Sequence, residues 1–156
     1  SAYLLDDMDV EIIADGVHLP APLLKLIYKI KGPNRIALIT DAMRAADMPE
    51  GESVLGSFKN GLKVIVEDGV AKLPDRTSFA GSVATADRLV RTMLNLAEVP
   101  LVETIQMITE TPARIMGVSD RKGSLTKGKD ADVVIFNDQI EVQRTFVKGR
   151  SVYQKN

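Results

Sequence analysis

The sequence has no cysteine, no tryptophan and a single histidine in 156 residues. Without cysteine there are no disulfides, no thiolate metal ligands and no thiol nucleophile, and the setting expected is a reducing, cytoplasmic one. One imidazole cannot supply the three protein ligands, mostly histidine, that a catalytic zinc takes, so no tightly held metal is expected on this chain's own residues. A carboxylate site for a hard cation stays open, although the spacing of an EF-hand loop is missing. Aromatic residues make up only 4%, which leaves few platforms for stacking single-stranded bases. The 20 Lys+Arg balance 21 Asp+Glu, whereas a nucleic-acid binder normally carries a basic excess. No apolar run approaches the roughly 18 residues of a membrane span. Neither nucleic acid nor a membrane is therefore an expected partner.

What is present is ordinary for a globular protein: 45% hydrophobic and 26% charged residues, at a length that suits one domain. The first residues carry Asp6, Asp7 and Asp9, the wrong charge for a signal peptide. They also lack an initiator methionine. The chain is accordingly expected to be an internal part of something longer.

Val10 to Ala14 is a short β-branched run closed by Asp15-Gly16, the pattern of a buried strand and a loop. After Pro20 and Pro22, Leu23, Leu24, Ile27 and Ile30 recur at helical spacing up to Gly32-Pro33. Arg35 to Thr40 forms a second strand, apolar almost throughout, as in a parallel sheet covered on both faces. Together these segments make a right-handed βαβ unit. Asn60-Gly61 and Asp68-Gly69 are hairpin signals, and they place a β-hairpin insertion at about 54–73. Two amphipathic helices follow, marked by Ala86, Leu89, Val90, Met93, Leu94 and Ala97, then by Leu101, Ile105 and Ile108. Thr111-Pro112 reads as an N-cap with proline at the first helical position, and Gly117 as the C-cap of a short helix. The last segments are β: 131–136, 142–147 and, across Lys148-Gly149, 151–153. A complete α/β domain needs more parallel strands than these two.

Two polar residues stand at strand C-termini, the ligand face of parallel α/β folds. His18 follows the first strand and Asp41 the second. If the strands pair directly, about 4.8 Å apart, both side chains reach one small ligand. Imidazole and carboxylate suit general acid–base work. The plain alternatives are a hydrogen-bonded loop histidine and a turn aspartate. Phe79-Ala80-Gly81-Ser82 offers small residues that let backbone approach a ligand, or a simple turn into a helix. Arg76 and Arg114 are candidates for phosphate contact, with surface charge as the plainer reading. Gly123 to Asp130 nearly matches the phosphate-binding pattern G-x-x-x-x-G-K-[ST], but Asp130 replaces the hydroxyl and a strand follows instead of a helix. It reads as a turn.

These segments, in this order, resemble the amidohydrolase superfamily and within it the N-acetylglucosamine-6-phosphate deacetylase family. The resemblance is carried by Asp15-Gly16-Val17-His18, by Leu38 to Met43 and by Phe79 to Ser82. Thr111 to Gly117, Gly123 to Leu125 and Gly128 to Asp132 are shared more widely among amidohydrolases. The likeness runs from about Val10 to the C-terminus.

The resemblance implies an α/β fold: the C-terminal part of a (β/α)8 TIM-type barrel over residues 1–122, and closing strands of a small β-sandwich domain over 123–156. It implies that Asp41 is the acid/base. Asp15, Gly16, Val17 and His18, with Phe79, Ala80 and Gly81, would bind substrate. The metal ligands, a glutamate and two histidines, would lie upstream, with Asp41 beside a divalent ion (zinc, iron, cobalt or similar) in the full-length enzyme. The implied reaction is hydrolysis of the acetamide of an amino-sugar phosphate, by a homo-oligomer, a dimer, when full length. The isolated chain would be inactive. Another amidohydrolase, acting on a cyclic amide or a dipeptide, and a non-catalytic α/β module are the alternatives.

Overall fold

A computed structural model describes residues 2–155. β1 (Val10–Ile12) and β2 (Ile36–Leu38) lie parallel, with Val10 opposite Ile36 and Ile12 opposite Leu38. All three residues of β2 are buried, while β1 turns Glu11 outward. α1 (Ala21–Lys31) connects them. It follows Pro20 and carries proline in its first turn, where the missing N–H costs nothing. It ends at Gly32, whose φ of 65° lets its N–H reach the Tyr28 carbonyl at 2.8 Å. Leu24 and Ile27 face inward, whereas Ile30, expected on the same stripe, is exposed.

α2 (Ala86–Asn95) and α3 (Leu101–Ile108) complete the cover of the parallel pair. Leu24, Ile27, Ile36, Leu89, Met93 and Met107 are fully buried in this core. Each contributes about 1.5–3 kcal/mol of transfer free energy. The inward face of α3 holds Thr104 and Met107, not Leu101, which is 42% exposed. α4 spans Glu110–Ile115, so it starts before Thr111-Pro112. Thr111 is no cap: its hydroxyl donates to the Pro33 carbonyl at 2.8 Å, and this tertiary bond fixes it inside the helix. The other end is as expected. Gly117 (φ 67°) donates to the Arg114 carbonyl and Val118 to that of Ala113, a Schellman stop.

The segment expected to be a hairpin at 54–73 is a three-stranded antiparallel meander: β3 (Gly51–Leu55), β4 (Leu62–Glu67) and β5 (Val70–Lys72). Asp68-Gly69, with φ of 53° and 70°, makes the tight turn between β4 and β5. Asn60-Gly61 makes no such turn. It closes the loop 56–61, and Gly61 is needed because a Cβ there would lie 2.4 Å from the Leu55 and Ser57 carbonyl oxygens. Val64, Val66 and Ala71 pack with Met43, Ala45 and Ala80 in a second small core.

A third sheet, β6 (Val133–Phe136), β7 (Val142–Val147) and β8 (Arg150–Gln154), is also antiparallel. Lys148-Gly149 turns β7 into β8 with φ of 49° and 75°. No residue of these strands is buried. The sheet is tied to α2 by Arg91, which donates to the Ile140 carbonyl at 2.9 Å. No helix of the described residues is long and apolar enough to cross a membrane.

Candidate functional site

Because β1 and β2 pair in register, their C-terminal ends share one edge. Past β1 and Ile13-Ala14 the chain enters a loop in which the Asp15 side chain is fully buried. Its Oδ1 accepts the backbone N–H groups of Val17 and His18, both at 2.9 Å, and its Oδ2 lies 2.8 Å from His18 Nδ1. Burial alone would raise the Asp15 pKa. The His18 and Val17 N–H groups and the imidazole outweigh it and hold the carboxyl below its ordinary value. With Nδ1–H aimed at Asp15, Nε2 is left as the free nitrogen, and it has no hydrogen-bond partner among the described residues. Gly16 allows the turn: its φ is 81°, and a Cβ there would stand 3.2 Å from Leu96 Cδ1.

Past β2, Asp41 adopts a left-handed backbone with φ 46°. Aspartate tolerates that region better than most residues, though at some cost. Two backbone bonds hold it there: Ser82 N–H donates to the Asp41 carbonyl at 3.2 Å, and Met43 N–H to the Ser82 carbonyl at 2.8 Å. They flank a parallel bridge between Ala42 and Ser82. The Asp41 carboxylate itself is exposed and has no partner among the described residues.

The Phe79–Ser82 segment links both loops. Ala80 N–H bonds the Ala71 carbonyl at 2.8 Å, Gly81 (φ 88°) lies against Met43, and the buried Ser82 hydroxyl accepts the Ala84 N–H at 2.8 Å. The Phe79 ring sits 4.9 Å from the His18 ring, tilted by 55°. So Asp15 to His18, Asp41 and Phe79 to Gly81 stand at one end of the parallel pair. They present an imidazole nitrogen, a free carboxylate, backbone groups and one half-exposed aromatic ring.

Both arginines raised as phosphate contacts are paired within the chain. Arg76 bonds Glu67 at 2.8 and 3.2 Å. Arg114 grips Asp9 at 2.6 and 3.0 Å and the Asn34 carbonyl at 2.7 Å, at the N-terminal end of the strands. A third arginine, missed in the sequence, is at the site. Arg88 donates to the Asp15 carbonyl at 3.0 Å and to that of Gly69 at 2.8 Å. In the sequence it is one polar residue of an amphipathic helix, and nothing marks it out. Among the described residues no group of three His, Cys, Asp or Glu could hold a metal ion.

Comparison with known proteins places the chain. The model of the amidohydrolase family matches residues 2–152. The N-acetylglucosamine-6-phosphate deacetylase of Lysinibacillus sphaericus is 37% identical over 98% of the chain, which spans 38% of that relative's length. A putative N-acetylgalactosamine-6-phosphate deacetylase of Escherichia coli K12 is 38% identical over 90% of the chain and 81% of its own length. Among solved structures, an aspartate-to-alanine mutant of the deacetylase from Mycobacterium smegmatis in complex with N-acetyl-D-glucosamine-6-phosphate superposes with a TM-score of 0.87. It is 30% identical over 97% of this chain and 39% of its own. The match of the family model along nearly the whole chain and the shared fold lead to one conclusion: the chain belongs to the amidohydrolase family, in the branch that holds the N-acetylamino-sugar-6-phosphate deacetylases.

Proposed function

We propose that the whole protein hydrolyses the acetamide of N-acetylglucosamine 6-phosphate to glucosamine 6-phosphate and acetate. The observation that carries the reading is the Asp41 carboxylate, without a partner among the described residues, on the same strand edge as the Asp15–His18 pair. Water adds to the acetamide carbonyl and gives a proton to Asp41. As the C–N bond breaks, Asp41 returns that proton to the leaving nitrogen, so the products are the amine and acetate. His18, oriented by Asp15, offers Nε2 to a substrate oxygen beside the acetamido group, while Val17, Gly16 and Phe79 to Gly81 shape the wall.

The divalent ion that the resemblance implies finds no set of ligands among the described residues. In the whole protein it would be held by residues this chain does not include. The same reading makes β1 and β2 adjacent strands of a (β/α)8 barrel over 1–122, and β6 to β8 closing strands of a β-sandwich over 123–156. The same reading has the enzyme work in the cytoplasm, on a charged sugar that does not cross a bilayer unaided.

The test is Asp41→Asn in the whole protein. It should lower kcat by about 10²–10⁴-fold, the range for losing a positioned general base, with bound metal unchanged by elemental analysis. Near-normal turnover sinks the assignment. The E. coli relative supports a second reading, the C4 epimer N-acetylgalactosamine 6-phosphate. Ranking kcat/KM for the two sugars separates them.

A further inference from the structure

The loop 15–18 is held together by bonds within itself. Asp15 binds Val17 and His18, two and three residues away. Such bonds fix the internal shape of the loop but not its place on the fold. The peptide that follows Asp15 leads straight into Gly16, which has a φ of 81° and the widest backbone freedom of any residue. Something outside the loop must set where the Asp15–His18 pair stands.

Among the described residues, one side chain from another element bonds the backbone of this loop, and it is Arg88. It sits in the first turn of α2, next to Leu89 and Val90, which are buried in the core. One branch of its guanidinium donates to the Asp15 carbonyl at 3.0 Å, and the other to the Gly69 carbonyl at 2.8 Å, on the β4–β5 turn. Arg88 forms no salt bridge among the described residues. Both partners are neutral carbonyls, so what it supplies is the planar fork, which lysine's single ammonium does not reproduce.

We infer that Arg88 is a positioning residue for substrate binding: by clamping the Asp15 carbonyl to α2 and to the β4–β5 turn, it fixes the placement of His18. The link to substrate rests on the deacetylase reading above; the link to His18 does not. Arg88 acts only through the loop, so its loss falls on binding and not on Asp41.

The experiment uses the whole protein with Arg88→Met and Arg88→Lys. Arg88→Met should raise KM for N-acetylglucosamine 6-phosphate about tenfold while kcat stays within about twofold, the scale of one lost hydrogen bond in the binding step. Arg88→Lys, keeping one of two donors, should fall between. Independently of substrate, proton exchange at His18 Nδ1 is followed by NMR with ¹⁵N-labelled histidine, the signal being assigned by its loss in His18→Gln. Exchange should speed up about tenfold in Arg88→Met. A folded Arg88→Met with unchanged KM and unchanged exchange overturns the inference, as does a fall in kcat with KM unchanged. If Arg88→Met does not fold, the same readouts on Arg88→Lys decide. Should the unmodified protein hydrolyse neither amino-sugar phosphate, the functional reading fails and the exchange measurement alone still judges Arg88.

Discussion

The two ends of the parallel strand pair are built on opposite principles. At the N-terminal end three cations are spent on the chain. Arg114 joins α4 to Asp9 and to the Asn34 carbonyl. Arg35 reaches Asp7 and Asp9. Lys31, buried at the end of α1, donates to the carbonyls of Leu5 and Met8 at 2.5 and 2.9 Å. Partners lie up to 105 residues apart in sequence, so this end ties distant elements together. At the C-terminal end most bonds are local or between backbones, and two groups, the Asp41 carboxylate and His18 Nε2, are without partners among the described residues. A polar group already satisfied stabilises the fold and has nothing left for a ligand. An unsatisfied one adds nothing to stability and is free for chemistry.

The contrast is broken most severely where the C-terminal end borrows the other's method, at Asp15. Its buried carboxylate satisfies two backbone N–H groups and an imidazole. Asp15→Ala strands all three, and the whole protein should lose about 3 kcal/mol in denaturant unfolding, in the range for a broken buried polar network. Substrate binding should weaken with it, because the His18 ring loses its fixed tautomer. A variant with wild-type stability and wild-type KM would mean that the loop is held by something other than this carboxylate.

Arg114→Met comes next and should separate the two ends. It removes the charge-assisted bonds to Asp9 and should cost about 1–2 kcal/mol of stability, because the pair is partly exposed. KM and kcat should stay within about twofold, since the change lies at the far end of the strands. The acid limb carries the same information. The Arg114 hydrogen bond, opposed by burial and helped by Arg35, holds Asp9 below its ordinary pKa. A carboxylate with a depressed folded pKa contributes stability above its unfolded value, near 3.9, and loses it as pH falls through the folded one. In Arg114→Met the fall in stability below about pH 4 should therefore be shallower, because fewer protons are taken up on unfolding. An unchanged acid slope would remove Asp9 from the account.

The strand ends that carry the candidate site are more legible in sequence than the scaffold around them. His18 and Asp41 could be picked out because a strand end is visible in sequence as an apolar run stopping at a polar residue, and the register of β1 against β2 then brings the two ends together. What escaped was set by partners distant in the chain. Thr111 looks like a helix cap until the Pro33 carbonyl claims its hydroxyl. Gly51-Glu52-Ser53 carries no strand pattern, and those residues are extended because β4 offers them a partner, Gly51 opposite Val66. Arg88 is marked by nothing but the two carbonyls it meets.

The smallest effect is expected where an ion pair of good geometry stands in the open. Arg76 bonds Glu67 through two nitrogens, and that hydrogen bond holds the Glu67 carboxyl below its ordinary range. Yet the Arg76 side chain is 56% exposed, so water competes for both charges and Lys72 remains beside Glu67 at 3.3 Å. Arg76 also holds a left-handed φ of 58°, which glycine adopts without strain. Arg76→Ala should thus leave the denaturant midpoint nearly unchanged, and Arg76→Gly should move it no further, the pair's loss being offset by relief at the backbone. If Arg76→Ala instead matches Arg114→Met in denaturant unfolding, exposure is not what separates the strand-end clamp from a surface pair. The difference between the two ends would then have to rest on which elements they join.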